Sequence, residues 1–303
     1  VRLYGVNYSR RELLHRVGDI SQVGGVKACE LSDGNDKGVE ALEFRTGTGF
    51  NFTVLPGRGM DISYAEYCGQ PLCWRSPTGD VSPAFYEPQG RGWLRSFYGG
   101  LLVTCGLTYF AGPCIDEGKE LGLHGRFSNM PAKNVCFSGE WEGDDYIMSA
   151  QGKVRETEAI TPDDQPTSGQ DISLTRMIWT RLGETKIHLH DVVENVGFIE
   201  TPHMILYHVN AGFPVVDEYS KLVSPSINVE PQNEDSKRER YDVFQAPTPG
   251  YRQRAYCHEM KSDAEGNVYA GIINERFNGG KGFGFYIKYS KREMKSFIEW
   301  KMN

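Results

Sequence analysis

The stretch LEFRTGTGFNFTV, residues 42–54, decides the fold class. Leu42 and Phe44 alternate with Glu43 and Arg45, and Phe50, Phe52 and Val54 resume the alternation. Successive strand residues point to opposite faces, so this pattern predicts two half-buried strands. Thr46-Gly47-Thr48-Gly49 between them predicts the hairpin turn. The same period of two recurs further along. Ile187, Leu189 and Val193 mark another strand. Phe283, Phe285, Ile287 and Tyr289 line one face of a late strand that follows the turn Asn278-Gly279-Gly280.

Helical signals are scarce by comparison. Ser9-Arg10-Arg11-Glu12 predicts a capping box, in which Ser and Glu satisfy each other's orphan N–H groups. Leu13, Leu14 and Val17 would give that short helix an apolar side, and Gly18 would stop it. Many short strands joined by glycine-rich turns predict an all-β sandwich. No linker divides the chain into two compositions. The polar run at 155–171 reads as a surface excursion within a single domain spanning 1–303.

The 303 residues are 39% hydrophobic, enough for a sizeable core, and the net charge of -7 argues against a nucleic-acid partner. No run approaches the ~18 apolar residues of a membrane-spanning helix. The N-terminus lacks an apolar signal-peptide core. The seven cysteines are odd in number and form no CxxC pair, which predicts reduced thiols in a cytoplasmic protein.

Four segments set polar residues among apolar or glycine-rich ones. In Pro56-Gly57-Arg58-Gly59-Met60-Asp61 the glycines could present Arg58 to a ligand, or the segment is a turn with a local Arg–Asp pair. In Gly122-Leu123-His124-Gly125-Arg126 a histidine suited to proton transfer near neutral pH lies two residues from an arginine. In His203-Met204-Ile205-Leu206-Tyr207-His208-Val209-Asn210, His208 and Asn210 share one strand face. His203, five residues from His208, falls on the other. In Phe297-Ile298-Glu299-Trp300-Lys301, charges at alternate positions form either a solvated edge or a cleft wall. His188 and His190 share a face, but nothing in the sequence completes a metal site around them.

The stretches LPGRGMDIS (55–63), PTGDVSPAFYEPQGRGWLRSFYGGLLVTCGLT (77–108), LGLHGRFSNMPA (121–132), ENVGFIETPHMILYHVNAGFP (194–214) and FIEWKMN (297–303) together resemble the aldose 1-epimerase (galactose mutarotase-like) superfamily, in its DUF4432 branch. The resemblance implies an all-β supersandwich of antiparallel sheets with a sugar cleft. It implies an isomerase that interconverts anomers of a small sugar by acid–base chemistry, with no cofactor and no metal. Carried over by position, His208 looks like the acid that protonates the ring oxygen and His124 like the sugar-holding histidine. Arg58, Asp61, Arg126 and Asn210 look like cleft residues. Mutarotases carry their general base on a Glu beyond the strand that FIEWKMN matches. The expectation is therefore that a C-terminal strand follows Asn303, the alternative being a protein that does without that carboxylate. A different sugar isomerisation or epimerisation, and a sugar-binding protein without catalysis, are the alternatives.

Overall fold

The hairpin read from residues 42–54 is present in the computed structural model of the chain, which describes residues 1–159 and 169–302. Strands Glu40–Arg45 and Phe50–Leu55 pair antiparallel, with Phe44 opposite Phe52. Leu42, Phe44, Phe50, Phe52 and Val54 are all buried. The Phe44 and Phe52 rings stack with centroids 4.5 Å apart, and such pairs add about 0.5–1.5 kcal/mol beyond area burial.

The chain divides into two compact units, Val1–Asn210 and Ala211–Asn303. The first contains a seven-stranded antiparallel sheet in the order Met204–Val209, Leu102–Leu107, Asp61–Tyr67, Phe50–Leu55, Glu40–Arg45, Gly25–Glu30, with the short Gln70–Pro71 beside Asp61–Tyr67. A four-stranded antiparallel meander, Lys133–Glu142, Asp145–Thr157, Asp171–Arg181 and His188–Asn195, forms its second sheet. Leu107 and Phe127 meet Val154, Ile172 and Leu174 in the core between the two sheets. A separate cluster joins Leu55, Val103 and Cys105 to Trp93, Tyr98 and Leu123.

The second unit has two three-stranded antiparallel sheets. One orders Ser220–Val223, Asn267–Asn274, Phe283–Ser290, and the other Ser226–Pro231, Arg254–Met260, Phe297–Lys301. Met260, Val268 and Ala270 form its core, with Ile287, Tyr289 and Phe297 packed around them. Glu299 and Lys301 are neither a solvated edge nor a cleft wall: both are buried inside this unit. The Lys301 ammonium donates to the carbonyls of Arg240 at 2.7 Å and Val243 at 2.9 Å. The Glu299 carboxylate lies 3.4 Å from His258 Nε2.

The capping box forms as predicted, with Ser9 N–H donating to Glu12 Oε2 at 2.8 Å. The helix is only Arg10–Leu14, and it ends at His15 rather than Gly18. Leu13 is buried while Leu14 is exposed, so its apolar side is narrower than the sequence suggested. The turn at Asn278-Gly279-Gly280 lies within a short helical segment, Phe277–Gly280, whose Asn278 and Gly279 have left-handed backbones. The polar run at 155–171 lies partly outside the described residues; Arg155 to Thr157 end one long strand and Asp171 begins the next.

Candidate functional site

His208 is placed by the strand Met204–Val209, whose partner is Leu102–Leu107, with His208 opposite Val103. Leu206 packs on the cluster that contains Val103 and Cys105. His208, two residues on, therefore shares that face of the sheet. Tyr207 points the other way and donates its hydroxyl to Asp191 at 2.8 Å. Asn210 follows the strand and ties the region together. Its amide donates to the carbonyls of Gly99 and His208, each at 3.2 Å, and its own carbonyl accepts the Trp74 N–H at 2.9 Å.

His124 comes from a loop that the backbone grips on both sides. Its N–H donates to the Ala111 carbonyl at 2.9 Å, and its carbonyl accepts the Gly106 N–H at 3.2 Å. The Gly106 carbonyl in turn accepts the Arg126 N–H at 3.2 Å. His124 itself has φ 59°, a left-handed conformation that costs a residue with a side chain about 1–3 kcal/mol. Gly125 (φ 73°) cannot carry a side chain here. A Cβ would sit 2.4 Å from the Tyr109 carbonyl oxygen and 2.6 Å from that of Gly106. These tight contacts explain why a glycine follows His124.

The two imidazoles meet. Their centroids are 5.8 Å apart and their planes are nearly perpendicular, at 82°. Both stand edge-on against an aromatic floor in which Trp93 and Phe97 stack at 4.5 Å. His124 lies 4.8 Å from Trp93, and His208 5.9 Å from Phe97. Trp93 is anchored by its indole N–H on Ser128 Oγ at 3.1 Å. His124 Nδ1 is buried with no hydrogen-bond partner among the described residues.

Burial, and then the neighbouring His208, lower the His124 pKa to about 4. Burial also lowers His208, while its side-chain hydrogen bond with Asn210 works in the opposite direction. Desolvation disfavours the charged form of an imidazole, so both rings are driven toward neutrality.

The other expected cleft residues separate into two groups. Arg126 is exposed beside His124. Its charge and the Leu107 N–H oppose the burial that raises the pKa of Glu156. Arg58 and Asp61 have a different post. Arg58 is 1% exposed. Its Nε donates to the Ser128 carbonyl at 2.7 Å, its Nη2 to Ser96 at 2.8 Å, and its Nη1 to Val81. Asp61 is buried too, and it does not pair with Arg58. It accepts the Thr104 N–H at 2.8 Å, the Thr104 hydroxyl at 2.7 Å and Arg176 Nη1 at 2.7 Å. Arg176 continues to Asp191. Arg58 and Asp61 are thus both buried and bonded to groups of the protein interior.

His203 is exposed, outside the imidazole pair, with Nδ1 3.2 Å from the Leu107 carbonyl. His188 stacks on Trp179 at 5.0 Å. Among the described residues no group of three or more His, Cys, Asp or Glu is placed to share a metal ion. Sequence reasoning missed Trp93, Phe97 and Glu156. Trp93 and Phe97 carried a usable signal, two large aromatics four residues apart in the glycine-flanked run Gly92-Trp93-Leu94-Arg95-Ser96-Phe97-Tyr98-Gly99.

The family model described as "Domain of unknown function (DUF4432)" matches residues 36–303. The chain belongs to this family. No curated protein matches this DUF4432 chain in sequence. Two solved structures share its fold. One, described as a "putative aldose 1-epimerase" from Klebsiella pneumoniae, is 24% identical with a TM-score of 0.82; the alignment covers 91% of this chain and 70% of that one. A galactose mutarotase-like protein from Clostridium acetobutylicum is 12% identical with a TM-score of 0.52, covering 92% of this chain and 97% of that one. The all-β, mutarotase-like fold expected from the sequence is thus the fold of this DUF4432 chain. Among its described residues no helix is long and apolar enough to cross a membrane.

Proposed function

We propose that this DUF4432 chain interconverts the anomers of a small sugar, in the manner of an aldose 1-epimerase, with the whole of 1–303 as one carbohydrate-active module. The observation that supports this most is the imidazole pair, two perpendicular rings 5.8 Å apart on an aromatic floor. Opening a hemiacetal ring requires one group to take the anomeric hydroxyl proton and another to supply a proton to the ring oxygen. Two neighbouring groups that discourage each other's charging can divide that work. His124, at about 4, stays neutral through the ordinary range and serves as the acceptor. His208, whose pKa burial lowers against the opposing hydrogen bond with Asn210, is the ring assigned to protonate the ring oxygen. Repulsion between the rings ensures that the first proton bound discourages a second. After ring opening and rotation about C1–C2, the same two transfers in reverse close the ring to the other anomer.

Arg126 holds a hydroxyl beside the pair, and Asn210, whose amide is engaged by the Gly99 and His208 carbonyls, positions His208. Glu156 is the anchor of the segment that grips His124, since its carboxylate accepts the Leu107 N–H at 2.9 Å and the Thr108 hydroxyl at 3.3 Å. A cytoplasmic setting belongs to the same reading, because Cys68, Cys114 and Cys136 are exposed and unpaired.

The pH dependence follows from the signs. The imidazolium form of His208 is lost as pH rises through a pKa held below the ordinary 6.5. Turnover should therefore increase on acidification from pH 8 to below 6.5. The test is exchange spectroscopy by NMR on a panel of aldoses, with product analysis for any other isomer. Anomeric exchange well above the buffer rate for at least one sugar supports the proposal. A different isomer as the product, or binding with no exchange, would overturn it.

A further inference from the structure

Trp74 is a large aromatic side chain left 46% exposed next to the imidazole pair. Its ring is 6.0 Å from Phe97, whose ring is 5.9 Å from His208. Trp74, Phe97 and His208 thus form a continuous run of rings from solvent to the chemistry. The position of Trp74 is fixed at both ends of its peptide: its N–H donates to Asn210 at 2.9 Å, and its carbonyl accepts the Gly100 N–H at 2.8 Å. Gly99 (φ 73°) passes directly against it. A Cβ there would lie 2.5 Å from the Trp74 carbonyl oxygen and 2.7 Å from indole Cε3. The backbone therefore holds an exposed indole in place through the same residue, Asn210, that bonds His208.

We propose that Trp74, extended inward by Phe97, is a stacking platform for the apolar C–H face of a neutral pyranose. This deepens the sugar reading above and rests on it. An aromatic face carries partial negative charge, and it attracts the polarised C–H bonds that a pyranose presents on one side of its ring. Ligand sites of this kind combine aromatic walls with a few placed polar groups, and here the imidazoles are those groups. The face held at the Trp74 end is neutral because the cations there are already engaged, whereas the exposed Arg126 stands beside His124. Arg75, next in sequence, binds Asp80 at 2.8 Å and the Ser63 carbonyl at 2.7 Å. Arg58 is held by three carbonyls. Neither is left to pair with a phosphate or carboxylate at this end of the site.

The test uses methyl pyranosides of the galacto, gluco and manno series, which bind without reacting because their anomeric carbon is locked. Binding to the full chain is followed by NMR titration, together with the ring-current shift of the sugar C–H protons. Trp74→Phe should keep affinity within about threefold, since a stacking face remains. Trp74→Ala should weaken it about tenfold or more and abolish the upfield shift of the C–H protons. Trp74 is exposed, and the wild-type-like spectrum of Trp74→Phe guards against a folding artefact. Unchanged affinity in Trp74→Ala, with pyranosides still bound, would overturn the platform and leave the sugar reading intact. Binding confined to sugar phosphates or uronates would overturn the neutral-pyranose assignment. Absence of both pyranoside binding and anomeric exchange in the wild type would overturn the sugar reading, and the platform with it.

Discussion

Two polar clusters lie on opposite sides of the strand Leu102–Leu107, and they differ in how completely their groups are used. On one side, Thr104 joins Asp61, Arg176 and Asp191 in a buried network whose charged atoms all have protein partners. Burial pulls Arg176 down, but Asp191 and Asp61 more than reverse this and hold it above the ordinary arginine value. On the other side stand His124 and His208, both pushed toward neutrality by burial, one with a buried nitrogen that bonds to no described group. A polar group fully matched inside a protein stabilises the fold. A buried polar group left unmatched costs about 1–3 kcal/mol. On the proposed function, the contrast separates scaffold from site among residues that look equally promising in the sequence.

The largest expected effect falls on the matched side. Asp61→Ala removes one partner and leaves the Arg176 charge short of a counter-ion. Breaking a buried ion pair in this way costs about 3–5 kcal/mol, to be read as a shift in urea unfolding of the purified variant. A loss under ~0.5 kcal/mol would erase the distinction between the two clusters. Gly125→Ala comes next. Its Cβ would press on the carbonyls of Tyr109 and Gly106, and overpacking of this kind costs about 1–3 kcal/mol. Because that loop carries His124 and Arg126, turnover should drop as well. An alanine variant with native stability and turnover would show that the loop geometry is not required.

The smallest effect is a dependence on acid. His124 is lowered from 6.5 to about 4. Between those values the unfolded chain binds a proton that the folded one refuses, so stability rises with pH across that window and falls on acidification through it. His208, also lowered, adds to the same slope. Unfolding curves between pH 6.5 and 5, where most carboxylates have yet to titrate, should show the decline, and His124→Asn should flatten it. Turnover is expected to move the opposite way over this range, so the two profiles together sharpen the contrast between scaffold and site.

Much of this was readable in the sequence, and the boundary has a physical origin. The hairpin at 42–54 and the capping box at Ser9 depend on contacts a few residues apart, which alternation and spacing report directly. The His124 and His208 segments were also recognisable, since a polar residue on an aliphatic strand or between tight loop glycines is unusual. The fate of a charge was not readable. Asp61 finds Arg176 from 115 residues away, and Arg58 finds carbonyls at Val81, Ser96 and Ser128. An arginine flanked by glycines looks the same in sequence whether its partners are internal or a ligand. Glu299 and Lys301 show the same ambiguity, since alternate charges on a strand become interior groups only when another segment covers them. The aromatic floor escaped notice because Trp93 sits in the one-turn 3-10 helix Gly92–Arg95 and Phe97 just beyond it, too short a stretch for either period to show.

The central claim is that His208 moves a proton during anomeric exchange. Exchange rates by NMR on the best aldose of the panel, for His208→Asn and for His203→Asn, test it most directly. Asn is close in size and retains a donor, but it has no transferable proton. Loss of a general acid costs about 10²- to 10⁴-fold in rate, and that loss is expected for His208→Asn with substrate affinity changed far less. The exposed His203 ring bonds to the Leu107 carbonyl outside the imidazole pair, so His203→Asn should stay within a few-fold of wild type. Near-normal exchange in His208→Asn, with exchange abolished in His203→Asn, would contradict the assignment.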